Sequence, residues 1–309
     1  LLKKQLKKIE KQSITRRKAR KHLIRVALIG YTNAGKSTLM NQLVGEKLSI
    51  ITSKMQTTRH RIMGMVNEED YQIVFSDTPG IIDPHYRLHE NMMKFVSEAL
   101  KDADVVLMVT DIYEDPNKMD DRLAQINKLS VPVLLLLNKI DNSEQKSLEK
   151  LVNEWKLKLP KVEILPISAL HNMSIQFILP KILEWLPKNP PYFDKDQLTN
   201  KSMRFFVSEI IREKILLIYQ KEVPYSCEVV VEEYKDEEKI VKIRANVMVS
   251  RTSQKSIVIG HQGKKIKKLG TDARLDIEAF ISKKVYLELY VKVDKDWRDK
   301  EGKLKKYGY

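Results

Sequence analysis

The sequence predicts an α/β chain in two parts, a mostly parallel sheet with helices on both faces followed by a small α+β domain. Three observations carry this. Short apolar runs alternate with amphipathic stretches from Ile24 onward, as expected of strands buried on both faces and covered by helices. The alternation stops at "LPKNPPYFDKDQLTN" (Leu186 to Asn200), whose prolines and polar residues can continue neither a helix nor a central strand. Beyond that break the order becomes helix, two strands, glycine turn, basic helix and strand.

Taken in order, Leu1 to Arg25 read as a basic, lysine-rich helix with apolar positions at Leu2, Leu6 and Ile9. Strands are predicted at "IRVALIG", "YQIVFSD", "DVVLMVTD", "VPVLLLLNK" and "VEILPIS", with helices such as "NMMKFVSEALKD" and "LEKLVNEWKLKL" between them. After the break come a helix, "FFVSEIIREKILLIYQ", and two strands, "SCEVVVEEY" and "KIVKIRANVMVS", joined by a charged hairpin loop. The second of these leads to the turn "GHQG", a helix from near Lys264 and a last strand, "KVYLELYVKVD". The division is therefore a basic extension over residues 1–23, a first domain over 24–186, a linker over 187–200 and a second domain over 201–309. There is no internal repeat.

Composition narrows the function classes. A chain of 309 residues has room for two compact domains, and 42% hydrophobic with 31% charged residues fits a soluble globular protein. No apolar run approaches the roughly 20 residues needed to cross a bilayer, and the basic N-terminus lacks the apolar stretch of a signal peptide. The single cysteine, Cys227, excludes an internal disulfide framework, suits a reducing cytosol and reads as a small half-buried strand residue. A net charge of +15 favours polyanions, either nucleic acid or an anionic membrane face. The expectation is a cytoplasmic monomer, with peripheral association at the inner face of the cell membrane as a second consequence of the charge.

The strongest motif is "GYTNAGKS" (Gly30 to Ser37), a G-x-x-x-x-G-K-[ST] loop directly after a strand and opening a helix. Glycines there let backbone N–H groups wrap phosphates at a helix N-terminus. Lys36 reaches the β- and γ-phosphates, and the Ser37 hydroxyl coordinates magnesium. Three later motifs, each at a strand end, identify the base and the switch. In "DTPG", Asp77 can hold magnesium through water and the Gly80 N–H can meet the γ-phosphate. In "NKID" (Asn138 to Asp141), the Asp141 carboxylate can accept two N–H bonds from guanine N1 and N2, a pattern adenine does not offer. "SAL" (Ser168 to Leu170) would supply a backbone N–H to guanine O6. The predicted nucleotide contacts are Gly30, Tyr31, Thr32, Asn33, Ala34, Gly35, Lys36, Ser37, Thr38, Asp77, Gly80, Asn138, Lys139, Asp141, Ser168, Ala169 and Leu170. Four such motifs in order describe a domain that binds GTP and GDP with Mg2+.

A switch threonine should close on magnesium and the γ-phosphate. "QTTRHR" (Gln56 to Arg61) supplies it, with Thr58 favoured over Thr57, so that Lys36, Thr58 and Gly80 form the predicted catalytic set and Ser37, Thr58 and Asp77 the metal set. One residue is missing. In Ras-like enzymes a Gln directly after the "DTPG"-type motif orients the attacking water. Here that position is Ile81, followed by Ile82, and neither side chain can hydrogen-bond a water. Intrinsic hydrolysis should be slow, with help from a backbone group, a partner or a bound cation. Related GTPases with an Asn in the phosphate loop hold a monovalent cation against the phosphates, which makes Asn33 and K+ a candidate pair.

The second glycine turn lacks a Lys-Ser or Lys-Thr pair in phosphate-loop register. Instead apolar residues precede it and a basic helix follows, an arrangement that brings backbone close to a nucleic-acid strand, as in the G-x-x-G clamp of KH domains. The predicted RNA contacts are Gly260, His261, Gln262 and Gly263, with Lys264, Lys265, Lys267 and Lys268 adding charge for phosphates.

From about Asn41 to Tyr309 the chain resembles the bacterial Era family, through "KLSIITSKMQTTRHRIMG", "FSDTPGI", "FFVSEIIREK", "VPYS", "IGHQGKKIK", "LELYVKV" and "LKKYGY". The resemblance implies a P-loop GTPase domain followed by a KH domain of type II-like order. It implies binding near the 3′ end of small-subunit (16S) ribosomal RNA on the pre-ribosomal small subunit and a role in that subunit's maturation. It also implies a hydrophobic replacement for the catalytic Gln, in agreement with Ile81. The first ~40 residues depart from the family and look more like the basic linker and phosphate loop of HflX, another ribosome-associated GTPase. Two alternatives stay open: an HflX-like GTPase, and an RNA-binding protein that holds GTP with negligible turnover.

Overall fold

Strand β1 (His22–Ile29) is apolar at nearly every position because it lies at the centre of a sheet covered on both faces. The computed structural model describes residues 22–118, 120–186 and 193–309. Six strands, β1, β2 (Ile62–Asn67), β3 (Tyr71–Asp77), β4 (Val105–Asp111), β5 (Val133–Asn138) and β6 (Glu163–Pro166), form one sheet in the order β2-β3-β1-β4-β5-β6. All neighbours run parallel except the edge strand β2, which is antiparallel to β3. Helices α1 (Lys36–Val44), α2 (Arg87–Asp102), α3 (Asp120–Asn127) and α4 (Gln145–Lys158) lie between successive strands, and α5 (Ile178–Glu184) follows β6. One face packs Leu39, Met40 and Ile178 on Leu28, Phe75 and Leu107. The other packs Val96, Ala99, Trp155 and Leu159 on Ile29, Val106 and Leu135.

The second sheet has three strands, β7 (Cys227–Asp236), β8 (Val241–Val249) and β9 (Val285–Val293), with β7 antiparallel and β9 parallel to the central β8. A parallel neighbour demands a crossover. Helices α7 (Thr252–Ile259) and α8 (Lys264–Ile281) provide it, with the second glycine turn between them. Helix α6 (Met203–Ile218) is capped by Ser202, whose hydroxyl accepts the Phe205 N–H at 3.4 Å. Its Val207, Ile211 and Ile215, four residues apart, share a core with Leu269, Ala273 and Ile277 of α8. The chain ends in α9 (Glu301–Lys306).

The fold corrects several expectations. His22 to Arg25 belong to β1, not to an N-terminal helix, whose earlier residues lie outside the described ones. Strand β2 escaped the pattern because "IMGMVN" is short and carries a glycine, Gly64, over which the side chains of Met40, Val44 and Leu48 close. Helix α7, "TSQKSIVI", was not expected between the second strand and the glycine turn; it is short, and its apolar residues are β-branched. The described part of the expected linker runs along the open edge of β2, where Leu198 O accepts the Met65 N–H at 2.8 Å. Cys227 is fully buried, not half-buried, and burial pushes its thiol up to about 12.

Candidate functional site: a guanine-nucleotide cavity tied to a second glycine clamp

The phosphate loop leaves β1 at Gly30 (φ 146) and enters α1 after Gly35 (φ 98). Only glycine fits at either point. A Cβ on Gly30 would stand 2.0 Å from Val109 O, and one on Gly35 2.1 Å from Asn138 Nδ2. Lys36 is buried, and its Nζ donates to the carbonyls of Gly30 at 3.0 Å and Tyr31 at 2.6 Å. Burial lowers its pKa to about 8, opposed by Asp77 and Glu114. Glu114, on the loop after β4, is pushed up to about 7 by its own burial.

Beside it, Ser37 Oγ lies 2.7 Å from both Thr58 Oγ1 and Asp77 Oδ2, and Ser49 Oγ donates to the same carboxylate oxygen at 2.8 Å. Burial pushes the Asp77 carboxyl up, and its Oδ1 is a buried acceptor without a partner. One underpartnered carboxylate and two hydroxyls beside a phosphate loop fit magnesium, which takes few protein ligands and completes its shell with phosphates and water. Ser37 and Thr58 are the residues that would hold it, with Asp77 behind them acting through water, and bound there it would neutralise phosphate charge. Thr57 turns away: its hydroxyl donates to Lys54 O at 2.6 Å.

A cavity of about 500 Å3 opens over these groups. Thr32, Asn33, Gly35, Lys36, Ser37, Thr38, Thr58, Gly80, Asn138, Lys139, Asp141, Ala169 and Leu170 line it. Gly30, Tyr31, Ala34, Asp77 and Ser168 do not; they stand behind the wall as its support. Asn138 joins two walls, donating to Ala34 O at 2.8 Å and accepting the Ala169 N–H at 2.9 Å. It therefore braces the base pocket, and the Ala169 N–H is already engaged. Lys139 pairs with Asp111 at 2.5 Å. The Ile81 N–H donates to Gly30 O at 3.0 Å while its partly buried side chain packs against the sheet core. The cavity also takes in Thr78 of "DTPG", Gln56 and Thr57 of "QTTRHR", and Ile50, Ile51, Thr52, Ser53 and Asn142, none of which is among the predicted nucleotide contacts.

The switch loop is bound to the second sheet's domain. Arg59, fully buried, donates to Cys227 O at 2.8 Å and Tyr225 O at 3.0 Å and pairs with Glu228 at 3.2 Å. Burial opposes its charge, but Tyr309 and Glu228 outweigh that and its pKa is raised. The Tyr309 hydroxyl donates to the same Glu228 at 2.6 Å, and its ring stacks on His60 at 4.3 Å. From the other side Arg212 of α6 donates to Gln56 O at 3.3 Å and to Thr57 O. Leu88 and Met92 of α2 share a small core with Trp297 and Leu304.

The second glycine turn is open. Gly260 and Gly263 both have φ 73 and Gln262 has φ 50, so the turn folds tightly after α7 and launches α8. His261, Gln262, Lys264, Lys265, Lys267 and Lys268 are exposed, Gly260 and Gly263 partly so. Four exposed lysines form a phosphate-seeking edge beside two glycines, whose own N–H groups are bonded to Ser256 O at 2.8 Å and Gly260 O at 3.2 Å.

Comparison with known proteins agrees with this geometry. A model described as 50S ribosome-binding GTPase matches residues 25–139, and a KH domain model matches 222–298. The chloroplastic GTPase ERA1 of Zea mays is 47% identical over 290 residues, spanning 92% of this chain and 70% of that protein. GTPase Era of Clostridium botulinum is 41% identical over 286 residues, spanning 92% and 97%. Two solved structures superpose with TM-score 0.89 at 37% identity, over 93% of this chain and 99% of theirs. One is a variant of Aquifex aeolicus Era bound to GDP and aluminium fluoride. The other is Era with MgGDPNP and nucleotides 1506–1542 of 16S ribosomal RNA. The chain belongs to the Era family of GTPases, with a P-loop GTPase domain followed by a KH domain.

Proposed function

We propose that this GTPase uses its nucleotide state to control its grip on the 3′-terminal region of small-subunit ribosomal RNA and acts in assembly of that subunit. The carrying observation is the exposed Gly260–Lys268 clamp, in a chain alike over 93% of its length to an Era structure holding a 16S fragment. The working units are residues 24–186 and 201–309, joined through 187–200, in a monomer. Lys36 and the Gly80 N–H serve the phosphates, Ser37, Thr58 and Asp77 serve Mg2+, and Asp141 reads guanine. The relatives carry bacterial and chloroplastic names, so the compartment is the one in which the small subunit matures. Crosslinking to ribosomal RNA with sequencing tests this: sites at the small-subunit 3′ end are expected, and sites at large-subunit functional centres overturn it in favour of an HflX-like role.

Potassium belongs to the same proposal. Asn33 (φ 63) donates through Nδ2 to Ser53 O at 3.0 Å, joining the phosphate loop to the switch loop at the cavity wall. Its Oδ1 can serve a monovalent cation there, adding positive charge where an arginine finger contributes about 10³–10⁵ in rate. Faster hydrolysis in potassium than in sodium chloride at equal ionic strength, lost in Asn33→Ala, is the expected result. Equal wild-type rates reject it.

A further inference from the structure

We infer that Tyr219 is the residue through which the switch loop sets the RNA clamp, with Lys54 as its contact on that loop. This rests on the proposed control of RNA grip by nucleotide state and names the side chains that carry it. Lys54 lies between Ser53 and Gln56, which line the nucleotide cavity, but is not itself part of the cavity wall. Its Nζ donates instead to Tyr219 O at 2.5 Å. Tyr219 directly follows the last residue of the 16-residue helix α6. Carbonyls at a helix C-terminus lack helical partners, and a cation is favoured there, so Lys54 caps α6 from the other domain.

Tyr219 continues the connection on its other side. It is buried, and its hydroxyl donates to Val258 O at 2.7 Å. Val258 stands in the last turn of α7, two residues before Gly260, so this is a second helix-end carbonyl given a partner from outside. Gly260 turns at φ 73 against the Lys265 side chain. The Lys265 ammonium in turn lies 5.9 Å from the centre of the Tyr219 ring, within cation–π reach. Hydroxyl and ring thus hold both sides of the clamp's first corner.

The switch-loop end is tightly bonded within itself. Thr57 Oγ1 donates to Lys54 O at 2.6 Å and lies 2.9 Å from Thr52 Oγ1, which accepts the Lys54 N–H at 3.2 Å. Residues 52–57 therefore shift as one turn. The next residue is Thr58, whose hydroxyl sits 2.7 Å from that of Ser37. Arg212 also holds this turn to α6, through the carbonyls of Gln56 and Thr57, but its other bonds return to Glu209 of the same helix. With Thr58 closed on magnesium and the γ-phosphate, Lys54 is kept at the end of α6. After hydrolysis Thr58 loses the γ-phosphate, the turn is released, and the clamp corner bonded through Tyr219 loses a fixed point.

The test uses the full chain and a fluorescent RNA of the small-subunit 3′ end, with affinity read by anisotropy in GDPNP and in GDP. Wild type should bind about fivefold or more tightly in GDPNP, the low end of ordinary coupling between two sites. Linkage requires RNA to shift the preference for GDPNP over GDP by the same factor, so displacement of a fluorescent nucleotide gives the ratio independently. Lys54→Met removes the ammonium, and Tyr219→Phe removes the hydroxyl while keeping the ring beside Lys265. Each should bring the ratio below half the wild-type value, and the double variant should go no lower than the weaker single one. A ratio at or above half in either variant overturns the assignment, even where RNA binding weakens in both nucleotide states, because Tyr219 would then only support the turn. A wild-type ratio of one rejects the proposed control itself, and this inference with it.

Discussion

At Gly30 a methyl group would meet the Val109 carbonyl oxygen at 2.0 Å, whereas at Gly263 the nearest atom would be an Ile266 methyl at 4.0 Å. The two glycine turns use one residue type for two purposes. In the phosphate loop, glycine lets the chain press against its own sheet and against Asn138, so the cavity wall is backbone held by the Val109 main chain and the Asn138 carboxamide. In the KH turn, Gly263 supplies φ 73 and leaves space outside the protein, which a nucleic-acid strand can enter, while Gly260 at the same φ packs against Lys265, whose Cβ a methyl there would meet at 2.8 Å. One is a cage closed from behind, the other a clamp open in front. Lysine follows the same division: Lys36 is buried and bonded to carbonyls, while Lys264, Lys267 and Lys268 are exposed.

The largest break comes from putting the same methyl group into both turns. Gly30→Ala sets a Cβ against a backbone carbonyl that cannot move away, and should cost about 3 kcal/mol with loss of nucleotide binding. Gly263→Ala meets only the left-handed backbone cost, about 1 kcal/mol. Chemical denaturation of the two variants, followed with and without GDP, checks this; equal losses would erase the distinction between cage and clamp.

The second break uses charge. Gly263→Asp fits the space, since nothing lies closer than 4.0 Å, but brings a carboxylate to the proposed phosphate strand, a like-charge contact worth several kcal/mol. RNA binding should be lost and GDP affinity kept. An anisotropy assay in which an RNA carrying the small-subunit 3′ end still binds the variant removes the clamp reading.

Much of this was legible because both turns are local in sequence. The motifs at Gly30, Asp77, Asn138 and Ser168 sit at strand ends, and four of the five predicted strands of the first sheet are central and mostly apolar. What escaped was non-local. Arg59 meets Cys227 and Glu228 across 168 and 169 residues, and no pattern near "TTRHR" distinguishes a buried interdomain arginine from a surface one. Lys54 meets Tyr219 across 165 residues, a contact visible only once the fold brings the end of α6 to the switch loop. Strand β2 was missed because its outer edge is satisfied by residues 198–200, which read as linker.

A third test sharpens the cage at its base end. Asp141→Asn reverses one hydrogen-bond direction toward guanine and should shift preference toward xanthine nucleotides by roughly 1.5–3 kcal/mol, the value of a hydrogen bond to a charged group. Competition between GDP and XDP reads the shift. Unchanged guanine selectivity would take Asp141 out of the base site.

The smallest effect is a proton. In the unliganded protein Lys36 has its pKa lowered to about 8 by burial, against Asp77 and Glu114. Below pH 8 its charge is in place and nucleotide meets an ammonium; above pH 8 the free protein holds a neutral amine that must take up a proton to meet phosphate. Binding therefore raises the pKa of Lys36, and affinity for GDP should fall about tenfold between pH 7 and pH 9, with up to one proton taken up per GDP near the upper end. The same shift bears on stability with a definite sign. Because the folded pKa lies below the unfolded value of 10.5, the unliganded fold carries a penalty that is complete below pH 8 and disappears above pH 10.5. Nucleotide relieves that penalty by giving the charge a partner. Calorimetric titration in two buffers of different ionisation enthalpy measures the uptake, and Lys36→Met should abolish it together with much of the affinity. Pure affinity loss without proton uptake in GDP binding would mean that the Lys36 amine already carries its charge inside the cage.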